Sequence, residues 1–311
     1  MELRIFVEPQ QGATYDQQLA VAQRAESLGF GAFFRSDHLL KMGDMSGLPG
    51  PTDSWVTLGA IARETSTIRL GTLVTSATFR HPGMLAVSVA QVDQMSGGRV
   101  ELGMGAGWYD QEHTAYGIPY QPLGERFDRL DDQLAIVTGL WSAPAGGTWS
   151  RDSRWWPIED SPALPKPTRA KPPIIIGGFG PKRTPSLVAR YADEFNVPFA
   201  SVEATTDLQH GINGACGAVN RDPSTVLRSA AQVVCCGSDE AEIARRAASI
   251  GREPAELREN GLAGTPSELL DKLSRFAAAG ISRIYLQVLD MDDLEHLDLI
   301  AGEVMSHARS Y

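Results

Sequence analysis

The chain predicts a closed (β/α)8 barrel, an α/β fold in which parallel strands alternate with helices. Three observations carry that expectation. Eight short runs are apolar at nearly every position instead of alternating, which is how strands buried on both faces read. Helix-like segments lie between most of them, as right-handed crossovers between parallel strands require. The length, 311 residues, suits one such barrel with insertions. An open doubly wound sheet is the alternative architecture.

The elements follow in order. Leu3–Val7 is the first strand. The next segment, QQLAVAQRAESLG, sets Leu19, Ala22, Ala25 and Leu28 on one helical face and ends at Gly29. FGAFF is the second strand and breaks abruptly into Arg35, Ser36, Asp37 and His38. The third strand lies in TIRLGTLVT, and His81 before Pro82 reads as the start of a helix. RVELGMG is the fourth strand. The clearest helix comes after it, with Phe127, Leu130, Leu134, Val137 and Trp141 forming a stripe that packs on a sheet. PPIIIGG, DEFNVPF and LRSAAQVVCC supply strands five to seven. Near the C-terminus a helix again stops at a glycine, Gly280, and Ile284–Val288 is the eighth strand.

Two stretches interrupt this rhythm. Residues 39–53, after strand two, form a loop rich in Gly, Pro and Met that could act as a lid. Residues 142–172, before strand five, are proline-rich and without helical period; their adjacent Trp155 and Trp156 could pack on the barrel or on a second subunit. With no linker of disordered composition, residues 1–311 read as one domain.

Composition narrows the function. With 28 basic and 38 acidic residues the net charge is −10, which argues against nucleic acid or an anionic membrane as partner. No stretch reaches the roughly 18 uncharged apolar residues of a membrane span. The opening MELRIFVEP lacks the features of a signal peptide, so a cytoplasmic location is expected. Cys216, Cys235 and Cys236 show no disulfide framework and no metal spacing; reduced buried thiols are expected. The histidines show no metal spacing either, and no metal is expected.

In a parallel barrel the C-terminal strand ends converge on one mouth, where active sites are built. Here those ends carry Glu8 and Gln10, then Asp37 and His38, then Val74–Ser76, Gly103–Trp108, Gly177–Gly180, Asn196 and Gln287. Asp37 could orient or charge-balance His38, and an imidazole there can move a proton near neutral pH. The alternative is a histidine that merely hydrogen-bonds at a loop start. IIIGGFGPKRTPSL ends a strand in glycines and opens a helix that Thr184 could cap, with Pro185 at its first position and Lys182 and Arg183 adding charge. That is the make-up of a phosphate cradle, or else a glycine-rich turn without a ligand. In GMGAGWYDQEH the glycines clear the mouth for a flat ring, Trp108 and Tyr109 offer aromatic walls, and Glu112 and His113 are either pocket groups or caps of the following turn.

Taken together, FFRSDH, RLGTLVTSATFRHP, GRVELGMGAGWYDQEHTAYG and IIIGGFGPKRTPSLVARYADEFN resemble the bacterial luciferase-like superfamily, and more closely its actinobacterial branch that uses the deazaflavin coenzyme F420. The resemblance spans nearly the whole chain. It implies a luciferase-like TIM barrel with the cofactor ring across the mouth, and an oxidoreductase that passes a hydride between the deazaflavin and a small organic substrate. His38 would be the acid or base. Asp37, Leu73, Val74, Thr75, Gly107, Gly177, Gly178, Phe179, Gly180 and Arg183 would hold the cofactor, with a non-proline cis peptide at Leu73–Val74. Glu8, Trp108 and His113 would face the substrate. Sugar-phosphate dehydrogenases of this family carry a Glu where Trp108 stands, so a flat or apolar substrate is expected instead. An FMN-dependent monooxygenase on the same barrel is the alternative, and a barrel that binds without catalysing is a third reading. A homodimer is also expected.

Overall fold

The computed structural model describes residues 1–311. Its strands are β1 (Glu2–Val7), β2 (Ala32–Arg35), β3 (Arg69–Thr72), β4 (Thr75–Ser76), β5 (Val100–Gly105), β6 (Trp149–Arg151), β7 (Ile158–Ser161), β8 (Ile174–Gly177), β9 (Glu194–Pro198), β10 (Leu227–Cys236), β11 (Leu262–Gly264) and β12 (Arg283–Val288). Parallel pairing runs β12-β1-β2-β3-β5-β8-β9, β4 extends β3 alongside β5, and β10 bonds to both β9 and β12. The sheet is therefore closed, and the eight apolar runs of the sequence are its eight staves. β11 adds to the outer end of β10, through Val234–Cys236, beyond the cylinder.

Around it lie α1 (Tyr15–Leu28), α2 (Ser54–Glu64), α3 (Pro82–Ser96), α4 (Asp110–Tyr116), α5 (Leu123–Ser142), α6 (Arg183–Tyr191), α7 (Val202–Ala218), α8 (Glu240–Ser249), α9 (Pro254–Asn260), α10 (Pro266–Ala278) and α11 (Leu294–Ile300). Local chemistry explains their ends. A reciprocal capping box opens α1: Thr14 Oγ1 accepts from the Gln17 amide at 3.2 Å, and Gln17 Oε1 accepts from the Thr14 amide at 2.9 Å. His81 caps α3, its Nδ1 accepting from the Gly83 amide at 3.1 Å with Pro82 as the first helical residue. Along α5, Leu130, Leu134, Val137 and Trp141 are buried as the stripe requires. None of the helices is long and apolar enough to cross a membrane.

Residues 142–172 hold regular structure that the sequence did not announce. β6 and β7 pair antiparallel, and Trp149 lies so close to Gly139 of α5 that a Cβ there would sit 2.2 Å from the indole. Trp155 and Trp156 pack near the Arg129 guanidinium of α5, at 5.5 and 5.7 Å, so they face the barrel's own helix layer. The hairpin strands are short and only partly buried, which leaves no periodic signature to read.

Inside the cylinder, Phe6, Ala32, Phe34, Ile175, Ala231 and Tyr285 form an apolar layer. Beneath it, toward the N-terminal strand ends, the filling is charged. Arg4 is fully buried and donates to Glu101 at 2.6 Å and to Tyr285 Oη at 3.1 Å. Arg69 donates to Glu101 at 2.9 Å, Arg283 donates to Glu194 and to Glu2 at 2.6 Å each, and the Tyr285 hydroxyl donates to Glu194 at 2.9 Å. Burial alone would raise the Glu101 carboxyl, but the charge and hydrogen bond of Arg4, joined by the charges of Arg283 and Arg69, hold the group below the usual carboxylate range. The three cysteines are buried free thiols.

His296 of α11 is buried, and its Nε2 accepts from the Cys236 amide at 2.8 Å, tying α11 to the end of β10. Burial, reinforced by the nearby Arg246 cation, pushes its pKa down to about 4 from 6.5. Because the unfolded chain then binds the proton more readily, this residue's contribution to stability is complete above pH 6.5 and shrinks as pH falls toward 4. We expect wild type to lose roughly 3 kcal/mol through this group over that interval. Urea denaturation at stepped pH checks it: in His296→Gln the slope between pH 6.5 and 4 should flatten.

Candidate active site

The C-terminal strand ends surround a cavity of about 560 Å³. Its wall includes Phe6 and Glu8 from the first stave, His38 from the second, Leu73 and Val74 between β3 and β4, and Gly105–Trp108 after β5. Ile176–Gly180 and Thr184 close the far side, with Asn196 and Phe199 beside them. The imidazole of His38 and the glycine loop after β8 thus open onto the same space.

The Leu73–Val74 peptide bond is cis, at the position the resemblance places it. At Gly107, where φ is +78°, a Cβ would lie 2.6 Å from Ser76 Oγ; only glycine keeps that wall flat.

The glycine loop presents unpartnered donors. The amides of Phe179, Gly180, Lys182, Arg183 and Thr184 donate to no protein acceptor, and the Thr184 hydroxyl makes no hydrogen bond either. Gly178, at φ +138°, provides the bend that turns the chain from β8 toward α6. Several orphan amides at a helix start, with a hydroxyl among them, suit an anion such as a phosphate. The sequence placed the cap elsewhere: α6 begins at Arg183 with Lys182 as N-cap, so Thr184 lies inside the first turn and does not cap it. Arg183 is turned away, its guanidinium donating to Asp128 and, at 3.0 Å, to the Gly124 carbonyl of α5.

His38 Nδ1 lies 3.0 and 3.2 Å from the two carboxylate oxygens of Glu112, a buried residue of α4. The rings of Trp108 and Tyr109 flank it edge-on at 5.5 and 6.1 Å. Burial pulls the imidazole pKa down, but the hydrogen bond and charge of Glu112, joined by the charges of Glu8 and Asp37, carry it above 6.5. At Glu8 burial raises the carboxyl, and the charge of His38 only partly opposes this.

Three of the residues singled out from the sequence stand behind the wall. Asp37 is buried, but Arg80, not His38, is its partner; that guanidinium also donates to Asp53 at 2.5 Å and so staples the end of the 39–53 loop. Thr75 is buried and donates to Thr72 Oγ1 at 3.0 Å. His113 is fully buried, with Nε2 2.6 Å from Thr78 Oγ1 and Nδ1 2.7 Å from the Tyr109 carbonyl, and it supports the segment that bears Trp108. Leu73, Val74, Gly107, Gly177, Gly178, Phe179, Gly180, Glu8, Trp108 and His38 do line the cavity. From the sequence alone Glu112 reads only as a pocket group or a turn cap. Its pairing with residue 38, across 74 positions, has no local signal.

The luciferase-like monooxygenase pattern matches residues 1–276, and the chain belongs to that family. Among its relatives, the F420-dependent hydroxymycolic acid dehydrogenase of Mycobacterium tuberculosis is 32% identical over 241 residues, 76% of this chain and 63% of that protein. The F420-dependent glucose-6-phosphate dehydrogenase of Microbacterium testaceum is 35% identical over 172 residues, 55% of this chain and 49% of that one. The chain thus spans about half to two thirds of these relatives. In fold it is similar to an F420-dependent secondary alcohol dehydrogenase holding an F420-acetone adduct, with a TM-score of 0.84, 19% identity and 99% of both chains covered. It is also similar to the oxygenating component of 3,6-diketocamphane monooxygenase from Pseudomonas putida in complex with FMN, with a TM-score of 0.77, 20% identity and 98% of both chains covered.

Removing Arg80 strands a buried carboxylate. Arg80→Ala should therefore cost about 3–5 kcal/mol, and adding Asp37→Asn should restore part of it. Urea midpoints of the two single variants and the double variant decide this; simple additivity would show that the pair does not interact.

Proposed function

We propose that the chain is a coenzyme F420-dependent oxidoreductase that transfers a hydride between the deazaflavin and a small organic substrate, with His38 as acid or base. One observation carries the reading: His38 and the Gly177–Gly180 loop share a single cavity. The relatives named as F420-dependent dehydrogenases support it.

The site suits a flat cofactor with a phosphate. The orphan amides from Phe179 to Thr184 and the Thr184 hydroxyl would take the phosphate, and Leu73, Val74, Phe6 and Ile176 would support the ring. When bound, the deazaflavin supplies a carbon that accepts or donates hydride. The chain's own part is to hold the two reactants in register, exclude water with apolar walls, and exchange a proton at His38.

The cavity wall contains no Lys or Arg but carries Glu8 and Glu112. A phosphorylated sugar would find no Lys or Arg to pair with there, and Trp108 offers a flat apolar face. A neutral carbonyl, alcohol, enone or imine suits these walls better. An FMN-dependent monooxygenase is the second reading, because the amide cradle would hold either phosphate and a relative in fold carries FMN. We also propose a homodimer, supported by exposed Val56 and Met84 on the outer faces of α2 and α3; light scattering giving a monomer mass would remove it.

Titrating F420 and FMN separately while following tryptophan quenching tests the cofactor. Binding to F420 is expected; binding to FMN alone would overturn the first reading. Gly180→Ala brings a Cβ to 2.7 Å from Thr184 Oγ1 and should weaken that binding about tenfold. His38→Ala should retain binding while turnover falls about 10²–10⁴-fold. Unchanged turnover would take His38 out of the mechanism.

A further inference from the structure

We propose that Glu112 is a positioning residue that locks His38 in the Nδ1–H tautomer, leaving Nε2 as the one imidazole atom that exchanges a proton with the cavity. The inference rests on the reading of His38 as acid or base, and it adds which atom acts and what sets it.

The geometry is one-sided. Glu112 Oε2 accepts the Leu39 amide at 2.9 Å, and both of its carboxylate oxygens approach Nδ1. A backbone amide only donates, so it anchors the carboxylate as an acceptor. An ionised carboxylate in turn has no hydrogen to give, so the ring nitrogen facing it must carry the proton. Nε2 makes no hydrogen bond within the protein, while the ring forms part of the cavity wall. Trp108 and Tyr109 limit how the ring can turn. Because Leu39 directly follows His38, the same carboxylate grips both the side chain and the next peptide of the loop.

Every charged group that faces this imidazole is acidic. Glu112 comes from α4, Glu8 from the end of the first stave, and Asp37 from the end of the second. Asp37 is taken up by Arg80, and Glu8 makes no direct hydrogen bond to His38. Only Glu112 combines charge with a hydrogen bond. It therefore stabilises the imidazolium more than the neutral ring, which keeps His38 able to donate a proton near neutral pH and fixes the direction in which it does so.

The test needs no bound cofactor. Nitrogen-15 NMR of the histidine side chains in the free protein reads tautomer and titration midpoint together. For wild type we expect an Nδ1–H neutral form and a midpoint above 6.5. In Glu112→Gln the amide oxygen can still accept from Leu39, but its NH2 group now faces Nδ1. The neutral ring should switch to Nε2–H, and the midpoint should fall by about one unit or more. Glu112→Asp, which keeps the charge, should restore part of the midpoint. With cofactor and substrate, the His-dependent limb of the kcat–pH profile should move by the same amount in Glu112→Gln. An Nε2–H tautomer in wild type overturns the proposal without any variant, and so does an unchanged midpoint in folded Glu112→Gln. A failed His38→Ala activity test would instead strike the reading of His38 and leave these spectra untouched.

Discussion

The hydrogen-bonded ladder between β9 and β10 closes the cylinder, and the site depends on that closure. Asn196 pairs with Ser229 in register, and the Asn196 side chain donates to Ser229 Oγ at 2.9 Å, so backbone and side chain join there. An open sheet would leave residues 38, 74, 107 and 178 strung along an edge. Closure turns a linear series of strand ends into a ring, and loops far apart in sequence come to share one mouth. The cis bond at Leu73–Val74 and the bend at Gly178 then lie on staves separated only by β5, and Val74 reaches the glycine loop: a Cβ on Gly177 would sit 3.7 Å from it.

Filling the cylinder poses a second constraint. The upper layer is apolar and can support a flat ligand, whereas the lower one is a set of ion pairs around Arg4 and Glu101. Buried charges are tolerated only when paired and hydrogen-bonded, and here each carboxylate meets a guanidinium or a hydroxyl. The same rule governs the mouth, where Arg80 neutralises Asp37 and binds Asp53. Its result is a division of labour among the acidic groups: Asp37 secures the loop, and Glu112 is left to His38.

The staves were legible because parallel strands buried on both faces are apolar at most positions, even with Arg4, Glu101 and Glu194 set among them. The α5 stripe and the His81–Pro82 helix start were legible for a similar reason, since each is written within a single turn or a few. The β6–β7 hairpin was not, being short and half-exposed. Near the cradle, a Thr-Pro pair suggested a cap, but the chain had already entered the helix at Arg183, and the position of a helix start depends on the approach of the preceding loop. Asp37 beside His38 suggested a pair. Both residues lie just past the end of β2, where no strand alternation fixes their directions; the aspartate meets Arg80 behind the wall and the histidine meets Glu112 in front of it.

The sequence by itself determined the barrel, the end of it that opens into the cavity, and the histidine and glycine loop that line it. These follow from periodicity, from glycine, and from the order of strands along the chain. Only the tertiary structure decided which acid serves which base, where α6 starts, and that Arg183 turns toward α5 instead of the cavity. Those outcomes depend on distances between side chains dozens of residues apart, and a one-dimensional pattern holds no record of them until the ring is closed.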